Sequence, residues 1–363
     1  IVLWVAGLRE LGPDLPGWLA TNYASILGVT GTSLAIALLP GLAIITLLYR
    51  DKSASSASLV ERLALASGIR VAVPPLLLLF ANAIGLVWSS MATGLYVLVS
   101  GVIVTIGLLR NRPAIALDPD DITALAVLVA AWLSRLFIVR NLPSGLFGDS
   151  SHHTMITQLL VDHGGLFKSW LPYAPLTSFT YHFGFHSFAA FQHWFGGEPV
   201  LRSVVTSGQV LSVMAMTGAY TLTARIIRLS AGSKHFAASA ATLAAVLTGF
   251  VNPQPSFFVN WGRYTQLAGQ VILPALIVVW MQLMESRRQS PDGNQSRYLL
   301  ILAGVCTGGL MLTHYIVTLF AAVAVATYAV ASILQARSWR HAFQLSGLLI
   351  AGGLLALVFA SHW

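Results

Sequence analysis

Residues 121–139 read DITALAVLVAAWLSRLFIV, and residues 145–170, shortly after them, read GLFGDSSHHTMITQLLVDHGGLFKSW. The first stretch is apolar over roughly the 20 residues that an α-helix needs to cross a bilayer. The second stretch is the first long polar interruption of the chain, and it carries two aspartates and three histidines. A membrane-length segment followed by such a loop predicts an all-α, polytopic transmembrane helical bundle.

The composition indicates the same class of protein. Of the 363 residues, 56% are hydrophobic and 9% are charged, and the mean hydropathy is +0.76. Soluble domains carry about 25% charged residues, so a water-soluble fold is excluded. The apolar runs lack the alternation of membrane β-strands, which favours helices. The net charge of +8 indicates a collar of Lys and Arg beside the membrane, and we expect no nucleic-acid partner.

Working outward from the loop, we expect about ten spans and a partial N-terminal helix, Ile1–Leu8. The expected spans are Ile26–Tyr49, Ile69–Trp88, Met91–Leu109, Asp121–Val139, Val204–Ala224, Phe236–Val251, Leu267–Met284, Tyr298–Thr313, Tyr315–Leu334 and Phe343–Ala360. Because the chain starts inside an apolar segment and stops just after another, we expect a fragment that lacks residues at both ends.

The basic residues predict the orientation of the bundle. Alternation of the spans places 14 of the 20 basic residues on one side of the membrane. These are Arg50, Lys52, Arg62, Arg70, Arg110, Arg112, Arg225, Arg228, Lys234, Arg287, Arg288, Arg297, Arg337 and Arg340. The positive-inside rule makes this side cytoplasmic. Residues 140–202, which hold six of the ten histidines, are therefore expected outside.

Two short helices are expected within residues 140–202. His152–His163 has apolar residues on one face and ends at a glycine pair, and it is too short to span, so it should lie in the interface. Phe183–Phe195 is rich in Phe and Trp, and it is either interfacial or a short re-entrant piece.

Asp149 is the first candidate for chemistry, and two interpretations of it stay open. A carboxylate at the start of a helix often caps free N–H groups. Alternatively, it lies at the mouth of a membrane cavity as a general base or a metal ligand. His152 and His153 follow three and four residues later, so all three side chains would share a helix face.

The second candidate group is His182, His186 and His193, whose spacing predicts one helical stripe. Histidines at i and i+4 can chelate a transition metal, although interface histidines also simply orient their polar tips toward water. The sequence lacks a zincin motif, which argues against a zinc hydrolase. Tyr181 and Lys168 are typical of an interfacial belt, and Lys168 is also suited to a phosphate.

Two further candidates come from later loops. Arg263 and Tyr264 lie in the run NWGRYTQ, residues 260–266, which suits an anionic headgroup or a phosphate leaving group, or else anchors the protein among lipid headgroups. His314 lies between two apolar runs, either at an outer turn or inside the bundle. Ionisable groups from three outer segments thus converge on one side of the membrane, as expected for an active site between the helices.

These motifs resemble the GT-C class of membrane glycosyltransferases, which includes dolichyl-phosphate-mannose protein mannosyltransferases and oligosaccharyltransferase catalytic subunits. The resemblance rests on FGD at 147–149, QLLVDHG at 158–164, YHFGFH at 181–186, GRY at 262–264 and TH at 313–314. It covers roughly residues 121–363, a GT-C-like core with an outer catalytic loop at 140–202. Residues 1–120 are similar to an N-terminal helical membrane module found ahead of such proteins.

The resemblance implies an inverting transferase of a prokaryotic plasma (inner) membrane. Its donor would be a polyprenyl-phosphate-linked sugar, and its acceptor an extracytoplasmic protein, lipid or glycan. Asp149, His152 and His153 would be the catalytic residues. Substrate would be bound by Arg263, Tyr264, Tyr181, His182, His186, His314 and Lys168. A divalent metal, Mg²⁺ or Mn²⁺, would be held by Asp149 and His153. Ser150 stands where a second acidic residue would complete a paired-carboxylate site, so His153 would replace that second carboxylate.

Two other functions stay open from the sequence. The chain could be a non-catalytic scaffold with the same fold, bound to other membrane subunits in a larger complex. A transporter or flippase is the third option, but it should carry charges midway through its spans and show two related halves. Here the charges are expected mostly at span ends.

Overall fold

The computed structural model describes residues 15–48, 58–111, 119–230, 233–289, 294–361 and 363, and these residues form helices and connecting turns without a β-strand. The α-helices are α1 (Leu15–Leu48), α2 (Leu59–Ala83), α3 (Ser90–Asn111), α4 (Pro119–Ile138), α5 (Gly148–His163), α6 (Gly184–Gly196), α7 (Val200–Leu229), α8 (Lys234–Val246), α9 (Gln254–Asn260), α10 (Tyr264–Gln289), α11 (Asn294–Thr313), α12 (Tyr315–Ala336) and α13 (Trp339–Ala360). A π-helical turn, Leu247–Val251, continues α8.

Ten helical segments in these ranges are long and apolar enough to cross a membrane. The prediction of an all-α transmembrane bundle is therefore confirmed, and the chain has the architecture of a multi-pass membrane protein. The expected N-terminal helix at residues 1–8 lies outside the described residues.

The second span begins ten residues earlier than its apolar run indicates, at Leu59 instead of Ile69. Its start is stabilised by Ser58, whose hydroxyl accepts a hydrogen bond from the Glu61 backbone N–H at 3.3 Å. The Glu61 carboxylate also pairs with Arg228 of α7 at 2.6 Å. Because a cap and an ion pair satisfy these polar groups, the helix extends beyond the segment that hydropathy marks.

This longer helix corrects the position of Arg70. The apolar pattern predicts Arg70 in the cytoplasmic collar at a span end, but Arg70 lies near the middle of α2 and its side chain is completely buried. The other 13 of those 14 basic residues still fall on one side of the predicted spans, so the positive-inside rule predicts the same orientation without Arg70.

Helix α2 is the centre of the bundle. It packs against α1, α6, α7, α10 and α11, and most of its length is buried inside the protein. Glycines on neighbouring helices permit this close packing, since Gly41 of α1 and Gly309 of α11 lie against carbonyls of α2 with no room for a Cβ atom. Small residues at such crossings are typical of membrane helices.

The two ends of the bundle differ in chemistry. At one end, which we call the charged end, ion pairs join Arg225 to Glu285 and Arg228 to Glu61, and Nδ1 of His235 forms a hydrogen bond with the Asp120 carboxylate at 2.7 Å. The other end, which we call the histidine end, carries α5, α6 and the loops around them. There the Trp88 backbone N–H donates to the Gly164 carbonyl at 2.6 Å, which ties the end of α5 to the α2–α3 turn.

Helices α5 and α6 lie close to their predicted positions, and both end at glycines with positive φ, Gly164 at 60° and Gly197 at 71°. However, α6 is not an interfacial helix. Residues 184–192 are all buried, and α6 packs against α2, α3, α5 and α7. Residues on all sides of α6 are buried, with Phe185, Phe188 and Phe191 completely enclosed, so the helix inserts into the bundle.

Candidate functional site

The centre of the histidine end is a pair of buried imidazoles from α5 and α6. Nδ1 of His153 lies 2.8 Å from Nε2 of His186, and the two side chains are 4% and 0% exposed. Phe185 and Tyr264 surround His153, with ring centroids 5.7 Å from its ring in both cases. The pair therefore joins two helices through a polar contact in an otherwise aromatic environment.

The hydrogen bonds assign the protons of this pair. The ring of His153 also bonds to the backbone of Gly262, and because that bond favours the protonated ring, His153 is the donor in it. Its Nδ1 then accepts from Nε2–H of His186. This leaves Nδ1 of His186 as a buried acceptor without a partner in the described chain.

Burial keeps these histidines neutral. It lowers the pKa of His153 to about 3, with smaller contributions from His182 and His152, and it lowers the pKa of His186 well below its usual value. A ring with so low a pKa is a weak base at neutral pH. His153 is therefore suited to positioning its neighbours, because both of its nitrogens are already engaged.

A second histidine pair lies beside the first. The ring centroids of His182 and His314 are 5.1 Å apart, and the ring of Tyr181 stacks on His182 at 4.1 Å. Burial lowers the pKa of His182 to about 4 and also lowers the pKa of His314. Nε2 of His182 is buried without a hydrogen-bond partner in the described chain, so it offers another contact for a polar ligand.

Tyr181 connects the two pairs and reaches solvent. Its ring lies 6.2 Å from that of His153 and 5.9 Å from that of His186, and 38% of the residue is exposed. Partial burial raises the pKa of the Tyr181 phenol, a hydrogen bond with Thr265 lowers it, and the nearby Asp149 carboxylate raises it. The Asp149 carboxylate is thus close enough to Tyr181 to act on it electrostatically.

Asp149 lies in the first turn of α5 and is exposed. The N-cap of this helix is Phe147, which makes no side-chain capping bond, so Asp149 is not the N-cap that the alternative interpretation required. A carboxylate in the first turn is still stabilised by the partial positive charge of the helix N-terminus, and it keeps its access to water.

The α9–α10 turn lies directly against this helix start. Gly262 has a φ of 73°, and a Cβ atom there would come within 2.5 Å of the Ser150 backbone nitrogen and 3.0 Å of the Asp149 carbonyl carbon. Arg263 follows it, exposed, with its guanidinium carbon 5.3 Å from the Trp261 ring centroid. A carboxylate and a guanidinium that are 114 positions apart in sequence therefore come from adjacent backbone segments.

Of the other sequence candidates, Tyr264 is buried, and His152 and Lys168 are exposed. The hydroxyl of Tyr264 accepts a hydrogen bond from Ser150 at 3.3 Å, so it helps to hold the start of α5 in place. His152 is exposed one position before the buried His153, so the two rings do not share one face. Lys168 is exposed on the loop after α5.

The predicted stripe of three histidines on one helix is wrong. His182 precedes α6, which begins at Gly184, and its ring contacts His314. His193 lies in the last turn, where its Nδ1 is 2.6 Å from the Glu198 carbonyl oxygen. The regular spacing predicts a common face, but the helix begins only after its N-cap Phe183, so the first histidine lies outside it.

Three residues of the site were missed. Ser150 bonds to Tyr264, Thr265 bonds to Tyr181, and Tyr315 stacks in parallel on His314 at 5.8 Å. Each is adjacent in sequence to a residue that was chosen, so neighbours of the candidate motifs were the available signal. Among the described residues, no group of three or more His, Cys, Asp or Glu side chains is arranged to hold a metal ion.

Comparison of the chain with protein-family models, curated proteins and solved structures found no match. The GT-C resemblance therefore stays a hypothesis drawn from the motifs.

Proposed function

We propose that this protein is a membrane glycosyltransferase that moves a sugar from a polyprenyl-phosphate donor to an extracytoplasmic acceptor. The observation that supports the proposal is the contact of Gly262 with the Asp149–Ser150 backbone, because it makes the chain segments that carry Asp149 and Arg263 neighbours at the histidine end. A base and a phosphate ligand are the two charged groups that such a transfer requires.

The proposed chemistry uses each group once. The acceptor hydroxyl transfers its proton to the Asp149 carboxylate while its oxygen forms a bond to the anomeric carbon of the sugar. The bond between that carbon and the phosphate oxygen breaks, and its electron pair leaves on the polyprenyl phosphate. Arg263 stabilises the phosphate, because a guanidinium donates paired hydrogen bonds to phosphate oxygens.

The uncharged groups suit a sugar. Tyr181 offers a partly exposed aromatic ring, and the ring nitrogens of His182 and His186 are polar contacts without a partner in the described chain. Ligand sites typically combine aromatic walls with a few polar groups of this kind. On this proposal the histidine end faces the outside of a prokaryotic plasma membrane, and any Mg²⁺ or Mn²⁺ would bind near Asp149.

The test is a transfer assay in membranes that contain the full chain. It uses a panel of radiolabelled polyprenyl-phosphate sugars, with and without divalent metal. We expect Asp149→Asn to lower kcat by about 10²- to 10⁴-fold, the range for loss of a general base. Arg263→Gln should lower kcat by about 10²- to 10³-fold, through loss of charge stabilisation in the transition state.

Two matched variants control for surface charge. Asp162→Asn changes the other aspartate of α5, which accepts a hydrogen bond from Gln158 at 2.7 Å. Arg140→Gln removes an arginine whose guanidinium covers the Phe137 ring at 3.7 Å. Both should keep wild-type transfer. Wild-type rates in Asp149→Asn would exclude Asp149 as the base, and a wild-type chain without transfer from any donor would favour the scaffold alternative.

A further inference from the structure

Arg70 is a buried cation in the middle of the bundle. It lies near the midpoint of α2, and its relative exposure is 0%. Within the described part of the chain, none of its three guanidinium nitrogens has a hydrogen-bond partner. An ionisable residue in a membrane-spanning helix is costly, and such residues usually mark a function.

An aromatic cage surrounds the guanidinium. Its carbon lies 5.6 Å from the ring centroids of Tyr96 and Phe188 and 5.2 Å from that of Phe191. These rings attract the positive charge through their faces. They accept no conventional hydrogen bond from the N–H groups in the guanidinium plane, so the cage stabilises the charge and leaves its donors unused.

The polar groups in this cage are complementary to an anion. A guanidinium has five N–H donors and no acceptor, and the hydroxyl of Tyr96, which can also donate, is likewise buried without a partner in the described residues. Burial of so many unpaired donors is unfavourable unless an acceptor joins them. The acceptor that fits a planar guanidinium is a phosphate or carboxylate, which takes two parallel hydrogen bonds.

We propose that Arg70 and Tyr96 bind the anionic oxygen group of a phosphate-bearing ligand inside the bundle. This site differs from the one around Asp149 and does not depend on the proposed function. Both sites meet α6, which carries His186 as well as Phe188 and Phe191.

The surroundings favour a lipid as the source of the phosphate. Tyr96 belongs to α3, whose main contacts are with α1 and α6 and which exposes Leu95 and Leu98 by about 60%. A groove of about 590 Å³ runs between α1 and α3. Its wall is almost entirely apolar and includes Val97, the residue after Tyr96. The acyl chain of a lipid can pack in such a groove, whereas a soluble ion gains no contact from an apolar wall.

The test measures thermal unfolding of the purified full chain in nonionic detergent free of phospholipid. Three additions are compared: inorganic phosphate, short-chain phosphatidic acid, and phosphatidylcholine with the same chains. We expect phosphatidic acid to raise the Tm of the wild type, because it binds the folded state. A rise with inorganic phosphate as well would identify a soluble anion as sufficient. Phosphatidylcholine should give a smaller rise.

Two substitutions assign the effect to the cage. Arg70→Met replaces the cation by an apolar chain, so the Tm without additions should rise and the phosphate-dependent shift should disappear. Tyr96→Phe keeps the ring and removes the hydroxyl, so it should fold normally and reduce the shift. Arg140→Met, which removes a surface cation, should respond as the wild type does. A wild type that responds to neither phosphate probe, or an Arg70→Met that keeps the full shift, would overturn the proposal.

Discussion

At the scale of single residues, Gly262 sets the geometry of the proposed site. Its φ of 73° is a conformation that favours glycine, and a Cβ atom would meet the backbone of Asp149 and Ser150. The position thus combines a conformational requirement with a steric one.

Gly262→Ala should therefore displace the α9–α10 turn and lower sugar transfer by about 10²-fold, the effect expected of a displacement near 1 Å. The matched control is Gly197→Ala, which has a similar φ of 71° but no atom within 4 Å of the added methyl. Transfer rates at equal expression are compared. Equal losses in both variants would show that backbone strain, and not the contact with α5, is responsible.

At the scale of elements, α5 and α6 are joined by the neutral pair of His153 and His186. The folded chain holds these rings unprotonated because they are buried, whereas unfolded histidine titrates near pH 6.5. Between the two pKa values the unfolded state binds more protons. The contribution of these two histidines to the free energy of unfolding is therefore fully present above about pH 6.5, and it is lost as the pH decreases.

We expect the free energy of unfolding to fall as the pH is lowered from 6.5 to 4, by up to about 1.4 kcal/mol per pH unit for each buried histidine. The Tm should fall with it. His153→Asn removes one of these groups and should make the decrease less steep. The exposed neighbour variant, His152→Asn, should keep the wild-type slope. The measurement is differential scanning fluorimetry across this pH range, and an unchanged slope in His153→Asn would contradict the account.

At the scale of the whole molecule, the two ends of the bundle are chemically distinct. The charged end contains two Arg–Glu ion pairs and the His235–Asp120 hydrogen bond, and the histidine end contains neutral rings and an exposed carboxylate. The asymmetry agrees with the excess of Lys and Arg that predicts the cytoplasmic side. It gives the orientation a direct test, because the cysteine Cys306 is buried and should give little background labelling.

Ser178→Cys at the histidine end and Ser230→Cys at the charged end are matched substitutions, since both serines are exposed. A membrane-impermeant maleimide added to intact cells should label Ser178→Cys. It should label Ser230→Cys only after the cells are permeabilised. The reverse pattern would place the histidine end in the cytoplasm and would exclude an extracytoplasmic acceptor.

Hydropathy alone determined the fold class, the number of spans and the position of the loop with α5 and α6. These features are local, since a membrane-length apolar run is marked by its own residues whatever it packs against. The ends of α5 and α6 could also be predicted, because glycine readily adopts the positive φ that terminates a helix, as Gly164 and Gly197 do. The candidate residues Asp149, His153, His186 and Arg263 were all selected from their residue types and their places in the sequence.

Only the tertiary structure decided which of these groups meet. The bond between His153 and His186, the contact between Gly262 and Asp149, and the cage around Arg70 each join segments that lie far apart in the chain. No spacing rule covers such pairs, because they depend on how whole helices pack. The burial of Arg70 could not be predicted for the same reason. A hydropathy pattern places the end of a span near a charged residue, whereas in the folded bundle the helix continues past Arg70 and aromatic rings enclose its charge.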